Sequence, residues 1–265
     1  WNALVGMGFG GGRVLEPGCG SGAFIGLAPP SADMVGVELD PVTAGVAAAL
    51  YPQATIRTES FAATTFPAGH FDAAIGNVPF SEVSLHDARY NAAGLSMHNH
   101  FIVKSLAMTR PGGMVAMITS RFTMDAQNPA ARRAMAEHAD LVAAIRLPNG
   151  VHRRAAGTEA GSDLLILRRR ADHDGPGRPF DATEVVQVPT ADGRAEGCRL
   201  NTYWAAHPDQ VLGTPLLEVG MYGSFGLTIR PRDEAQAGEL LEATLQTVAA
   251  AAVTNGLGFA PRTVE

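Results

Sequence analysis

From residue 13 to about residue 170, short apolar runs alternate with stretches in which apolar residues recur at helical spacing. A strand covered on both faces reads as an unbroken apolar run, so this alternation predicts an α/β fold with helices on both sides of a doubly wound sheet. Seven strands are predicted, over residues 13–16, 34–39, 54–58, 71–76, 114–119, 141–146 and 163–167. Helices are predicted over 22–27, 42–50, 99–109 and 124–139. Asp40-Pro41 opens the second helix and Pro111-Gly112-Gly113 closes the third, the punctuation expected of helix starts and stops.

The pattern breaks after Arg170, where residues 171–179 combine turn residues and charge without periodicity. A boundary is placed there, giving a first domain over 1–170 and a small C-terminal α+β extension over 171–265. The extension is predicted to hold a strand at 184–188, a helix near 201–206, a hairpin over 216–229 and a helix over 234–252, with no constellation that suggests chemistry.

Composition narrows the class. With 265 residues, 46% hydrophobic and 17% charged, the chain has core enough to exclude a disordered tail. A formal charge of -6 excludes a globally basic nucleic-acid binder, but residues 146–170 hold six Arg (146, 153, 154, 168, 169, 170) against Glu159 and Asp163. That stretch is expected either to face phosphates or to be a solvated strand end. Lys104 is the only lysine, a bias assigned to genomic base composition. Cys19 and Cys198 have no close Cys or His companions, so no disulfide framework or zinc site is expected, which fits a reducing, cytoplasmic setting. No apolar run approaches the ~20 residues of a membrane span, and no basic-then-apolar leader opens the chain. Because it starts at Trp1, the chain is expected to be an excerpt of a longer polypeptide.

Glu16-Pro17-Gly18-Cys19-Gly20-Ser21-Gly22 lies between the first strand and the first helix, where glycines let a ligand approach the backbone. A dinucleotide turn would seat a pyrophosphate there. A carboxylate at Glu16 would repel one, yet would attract the ammonium of an amino-acid-like ligand such as S-adenosylmethionine. The second strand ends in Glu38-Leu39-Asp40, placing Glu38 where a carboxylate can take both hydroxyls of a ribose.

These residues resemble the first two motifs of class I S-adenosylmethionine-dependent methyltransferases, a likeness covering residues 13 to about 170. It implies a Rossmann-like, seven-stranded, mostly parallel sheet and S-adenosylmethionine as cofactor. Glu16, Pro17, Gly18, Cys19, Gly20, Glu38 and Leu39 would line the cofactor, Ser60 and Phe61 would flank its adenine, and Asn77 would border it. Phe61 has the alternative of being core.

Asn77-Val78-Pro79-Phe80, at the end of the fourth strand, resembles the Asn-Pro-Pro-Tyr/Phe motif of methyltransferases that modify a nitrogen in a planar, delocalised group. Such a nitrogen is a poor nucleophile, and two acceptors gripping its N–H groups favour a pyramidal nitrogen aimed at the methyl. Asn77 Oδ1 and the Val78 carbonyl are the candidate acceptors, and Phe80 would stack on the base. Val78 departs from the family's proline, which leaves the loop one fixed φ angle looser.

Motif order, with residues 99–113, 118–125, 144–150 and 156–163, resembles the γ group of N6-adenine DNA methyltransferases, and within it the methylase segment of large phage or plasmid proteins that also carry a helicase. This implies double-stranded DNA as partner, a flipped adenine as target, a recognition or helicase segment on the same polypeptide, and His152 near the second face of the base. The alternatives are an RNA or protein-glutamine methyltransferase, or a cofactor- or DNA-binding scaffold without turnover. His98 and His100 occupy different faces of a predicted helix, so no metal is expected.

Overall fold

The computed structural model describes residues 1–149, 161–171, 174–219, 225–233 and 235–260. Seven strands form the central sheet: β1 Gly12–Pro17, β2 Ala32–Glu38, β3 Thr55–Thr58, β4 Phe71–Asn77, β5 Thr109–Ser120, β6 Ala139–Arg146 and β7 Ser162–Arg169. Their order is β3-β2-β1-β4-β5-β7-β6, and only β7 runs antiparallel to its neighbours. The order reverses between β1 and β4, which opens a crevice at their carboxyl ends, where open α/β sheets bind ligands.

Side-chain alternation along the strands separates two cores. Leu15, Ala74, Val115, Met117, Leu165 and Leu167 face one side, beneath Phe101, Ile102 and Leu106 of α4 (Met97–Met108) and Met135 of α6 (Ala130–His138). Val14, Ala73, Ile75, Met114, Ala116 and Ile166 face the other, beneath Leu4 of α1 (Asn2–Gly6) and Val248, Ala249 and Ala252 of α8 (Ala237–Thr254). The remaining helices are α2 Ala23–Gly26, α3 Pro41–Leu50, α5 Phe122–Asp125 and α7 Tyr203–Ala206. Residues after 171 thus supply a cover for the second face through α8, and Phe180 and Trp204 join the first core. They also form two antiparallel pairs, β8 Thr183–Pro189 with β9 Ala195–Asn201 and β10 Thr214–Val219 with β11 Phe225–Arg230. No helix among the described residues is long and apolar enough to cross a membrane.

All seven expected sheet strands are present, with shifted bounds. The expected helix over 124–139 is divided into α5 and α6 because Pro129 interrupts it. α4 stops at Met108, and Thr109 already pairs with Phe71. Pro111-Gly112-Gly113 therefore lies inside β5, where the register shifts; a Cβ on Gly113 would stand 2.3 Å from the Asp72 carbonyl oxygen. α1 and β9 had no counterpart in the sequence pattern.

Candidate active site

The turn after β1 is bent by Gly18 and Gly20, at φ +69° and +53°, a region costly for any residue with a Cβ. The Gly18 and Cys19 amides donate to the Val37 carbonyl at 2.8 and 3.0 Å, latching the turn to β2. Glu38 completes the latch: Oε2 accepts from the Gly20 amide and Oε1 from the Asp40 amide, both at 2.9 Å. Each carboxylate oxygen keeps a further lone pair, so Glu38 can still receive two ligand hydroxyls. A Cβ on Gly20 would meet nothing within 4 Å, so the backbone here borders open space. Pro17 ends β1 beneath this turn, and Leu39 is exposed beside it.

Three of the expected cofactor residues are placed differently from expectation. The Glu16 side chain is 2% exposed, and its Oε2 accepts from the Ile25 amide at 3.1 Å. Burial raises this carboxyl to about 8, against the pull of the Phe24 and Ile25 amides. Glu16 therefore holds the first turn of α2 instead of lying open to a ligand ammonium. Cys19 is buried with Sγ against Gly36, and burial with the neighbouring Glu16 and Glu38 charges pushes its thiol up to about 12, so it serves packing. Phe61 is 3% exposed and packs on Phe101 at 4.8 Å between ring centres; its ring belongs to the core and has little surface left to flank an adenine. Ser60 remains half-buried at the same edge, drawn to the site by the Glu59 amide, which donates to the Glu38 carbonyl at 3.0 Å.

Asn77 ends β4 opposite Ile118, and the Val78 amide donates to the Ile118 carbonyl at 3.1 Å. Val78 is buried, Pro79 exposed and Phe80 half-buried. The Asn77 side chain is exposed and, among the described residues, has no hydrogen-bond partner. A Cβ on Gly18 would lie 3.5 Å from Pro79 Cδ, so this turn and the glycine turn touch. The structure thus gathers Gly18, Gly20, Glu38, Leu39, Ser60 and the residues 77–80 along one sheet edge. His152 lies outside the described residues, as do Arg153 and Arg154.

The expected basic face is corrected for the described arginines. Arg146 is buried between Asp125 and Asp163. Because β7 runs antiparallel, Arg168 to Arg170 stand at the opposite end of the sheet from Asn77. There Arg168 donates to the Gly258 carbonyl, Arg169 to that of His138, and Arg170 pairs with Asp140. They are held by the protein itself.

Sequence reasoning missed two buried ionic clusters. The Arg146 guanidinium takes Asp163 through Nε and Nη2, each at 2.9 Å, takes Asp125 through Nη2 at 2.8 Å, and lies 4.2 Å over the Trp204 ring. Below the loop that follows Phe80, Asp87 Oδ2 meets Lys104 Nζ at 2.8 Å and His100 Nε2 at 3.0 Å. The cue for the second was a lone lysine set among Phe101, Ile102, Val103 and Leu106, which marks a partnered buried cation. His98 instead contacts the Ser81 carbonyl and Ser96, and no group of three His, Cys, Asp or Glu among the described residues could hold a metal ion.

No family model matches the chain. Two curated relatives are similar to it: the Defense against restriction protein B of Escherichia phage P1, 27% identical over 60% of this chain and 7% of that protein, and the Type II methyltransferase M.XamI of Xanthomonas campestris pv. amaranthicola, 32% identical over 46% of this chain and 28% of that protein. The chain therefore spans only a minor part of each. Among solved structures, a class I S-adenosylmethionine-dependent methyltransferase of Listeria monocytogenes aligns at TM-score 0.54 and 16% identity over 64% of this chain and 58% of its own. A chain from a type I restriction-modification system aligns at TM-score 0.55 and 14% identity over 97% of this chain and 52% of its own. Together with the strand order, these likenesses show the class I methyltransferase fold.

Proposed function

We propose that this chain is the catalytic segment of a DNA-modifying methyltransferase that moves a methyl group from S-adenosylmethionine to the exocyclic N6 of a flipped adenine. The observation that carries the proposal is Asn77, exposed and without a hydrogen-bond partner among the described residues at the carboxyl end of β4, with Pro79 in contact with the glycine turn. The two curated relatives, a type II methyltransferase and an anti-restriction phage protein, favour DNA as the polymer.

Glu38 would hold the ribose hydroxyls, and the open backbone at Gly20 would receive the amino-acid end of the cofactor, which supplies a methyl already activated on a sulfonium. Asn77 Oδ1 and the Val78 carbonyl would accept the two N6 hydrogens, drawing the nitrogen lone pair out of conjugation and toward that methyl. Phe80 would stack on the extruded base, offsetting part of a flipping cost of a few kcal/mol. The surplus proton leaves a cationic amine, so neither a strong base nor a covalent enzyme intermediate is needed. Target selection would come from a recognition or helicase segment of the same polypeptide, or from a partner subunit.

The test incubates the protein with methyl-labelled S-adenosylmethionine and unmethylated DNA, RNA and protein, then identifies the labelled residue. N6-methyladenine from DNA is the expected product. Label in RNA or in protein glutamine overturns the substrate, and cofactor binding without transfer to any polymer overturns the activity. Asn77→Ala should lower transfer by roughly 10²–10³-fold while cofactor affinity holds.

A further inference from the structure

The segment 81–96 leaves the Asn77-Val78-Pro79-Phe80 turn and reaches α4 without regular secondary structure, yet it is tied down along its length. Asp87 is its anchor, and all of its carboxylate capacity is engaged. Oδ1 accepts from the Arg89 and Tyr90 amides, both at 3.1 Å, while Oδ2 takes Lys104 Nζ at 2.8 Å and His100 Nε2 at 3.0 Å. Lys104 is 1% exposed and His100 0%. Nζ of Lys104 also donates to the Ala62 carbonyl at 2.9 Å, in the loop after β3, and lies 5.2 and 5.3 Å from the Phe61 and Tyr90 ring centres. A few residues on, the Asn91 side chain donates to the Leu85 and Leu95 carbonyls and accepts from the Leu95 amide.

Burial alone would raise Asp87, but the hydrogen bonds from Lys104 and His100 outweigh it and hold it at about 2, so it is an ionised acceptor. Burial lowers His100, and its Nδ1 is buried without a partner among the described residues; the ring is neutral, with Nε2–H donating to Asp87. One buried cation therefore joins the segment beside Asn77, helix α4 and the loop after β3.

We infer that Lys104 is a positioning residue: by clamping Asp87 it fixes segment 81–96 and, with it, the turn that presents Asn77 Oδ1 and the Val78 carbonyl to the methyl acceptor. This rests on the proposed transfer. A long irregular segment held this firmly beside a reacting group sets geometry, and displacement of about 1 Å there is enough to slow a reaction by orders of magnitude.

The test compares the wild-type chain with Lys104→Met, Asp87→Asn and the double variant. Asn at 87 keeps an acceptor for the Arg89 and Tyr90 amides, and the double variant leaves no buried charge unpaired, so its thermal midpoint should stay near wild type. Trypsin reads the segment without reference to activity. Arg89 and Lys104 are the lysine or arginine residues between Arg57 and Arg110; Lys104 is buried, and the Arg89–Tyr90 peptide lies in the stretch that Lys104 and His100 tie to α4 through Asp87 Oδ2. The expected result is cleavage after Arg89 at least about 10-fold faster in all three variants, with kcat down by about 10-fold or more and S-adenosylmethionine affinity within about 3-fold.

A double variant that recovers both stability and kcat would reduce the clamp to a structural pair and overturn the inference. So would cleavage unchanged from wild type, or a freed segment with kcat intact. If the wild-type chain labels no polymer, the proposed function fails, and the trypsin comparison still decides whether Lys104 holds the segment.

Discussion

Replacing Arg146 by Met tests how the described parts of the chain beyond 171 are locked to the sheet. The Arg146 side chain is 3% exposed, and those of Asp125 and Asp163 are 1% and 0% exposed. Asp125 Oδ1 also accepts from the Trp204 indole and the Asn201 amide, both at 3.0 Å, so one carboxylate ties α5 to β9 and α7. Methionine fills most of the volume but leaves two buried carboxylates with, among the described residues, only Arg121 nearby, at 3.4 Å from Asp125. Removing one partner of a buried ion pair costs about 3–5 kcal/mol. At roughly 2–4 °C per kcal/mol for a chain of this size, a loss of ~4 kcal/mol lowers the thermal midpoint by about 8–16 °C. The loss depends on pH with a definite sign. Burial already raises Asp163 against the pull of Arg146, and without the arginine this carboxyl keeps its proton to higher pH in the folded state than in the unfolded one. The variant's stability therefore falls as pH rises, and its deficit is smaller at pH 5 than at pH 8. Adding Asp125→Asn and Asp163→Asn should recover most of the loss. Thermal and urea unfolding at both pH values measure this; a deficit under about 1 kcal/mol, or one equal at both, refutes the picture of an uncompensated buried charge.

Two further outcomes follow from the glycine turn. Glu16 keeps its proton in the folded protein to about 8, against an ordinary value of 4.5, so it costs stability as pH rises through that window; Glu16→Gln should flatten the profile and gain about 3 kcal/mol at pH 7, and parallel curves from pH 5 to 8.5 would show the carboxyl to be ionised in the fold. Glu38→Ala should weaken S-adenosylmethionine binding by roughly 10- to 100-fold in calorimetry, the worth of hydrogen bonds to a charged acceptor, and unchanged affinity would remove Glu38 from the site.

Much of the site was legible because its chemistry is local. Gly18 and Gly20 must sit in left-handed backbone for the chain to turn off β1, and Asn77 falls where a buried strand ends, so spacing along the chain was enough to place them at one edge. Glu16 and Phe61 were legible as residue types but not as roles. Which atoms a carboxylate or a ring faces depends on α2 and α4 folding over it, and those helices close the space that an open strand end would leave. The basic stretch misled for the same reason. Six arginines within 146–170 look like one patch in sequence, but Arg146 ends β6 while the antiparallel β7 carries Arg168 to Arg170 to the opposite end of the sheet.

The strands, their alternation between two cores, the glycine turn and the place of Asn77 and Val78 at the end of β4 follow from residue order, because each depends on neighbours a few positions away. The antiparallel insertion of β7, the covering of the second face by α1 and α8, and the two buried ion clusters arise only in the folded chain. Arg146 and Trp204 are 58 positions apart, and Lys104 meets Asp87 and Ala62 across 17 and 42. A buried charge is tolerable only where a partner of opposite sign arrives from elsewhere in the fold, and no local pattern records which residue that will be.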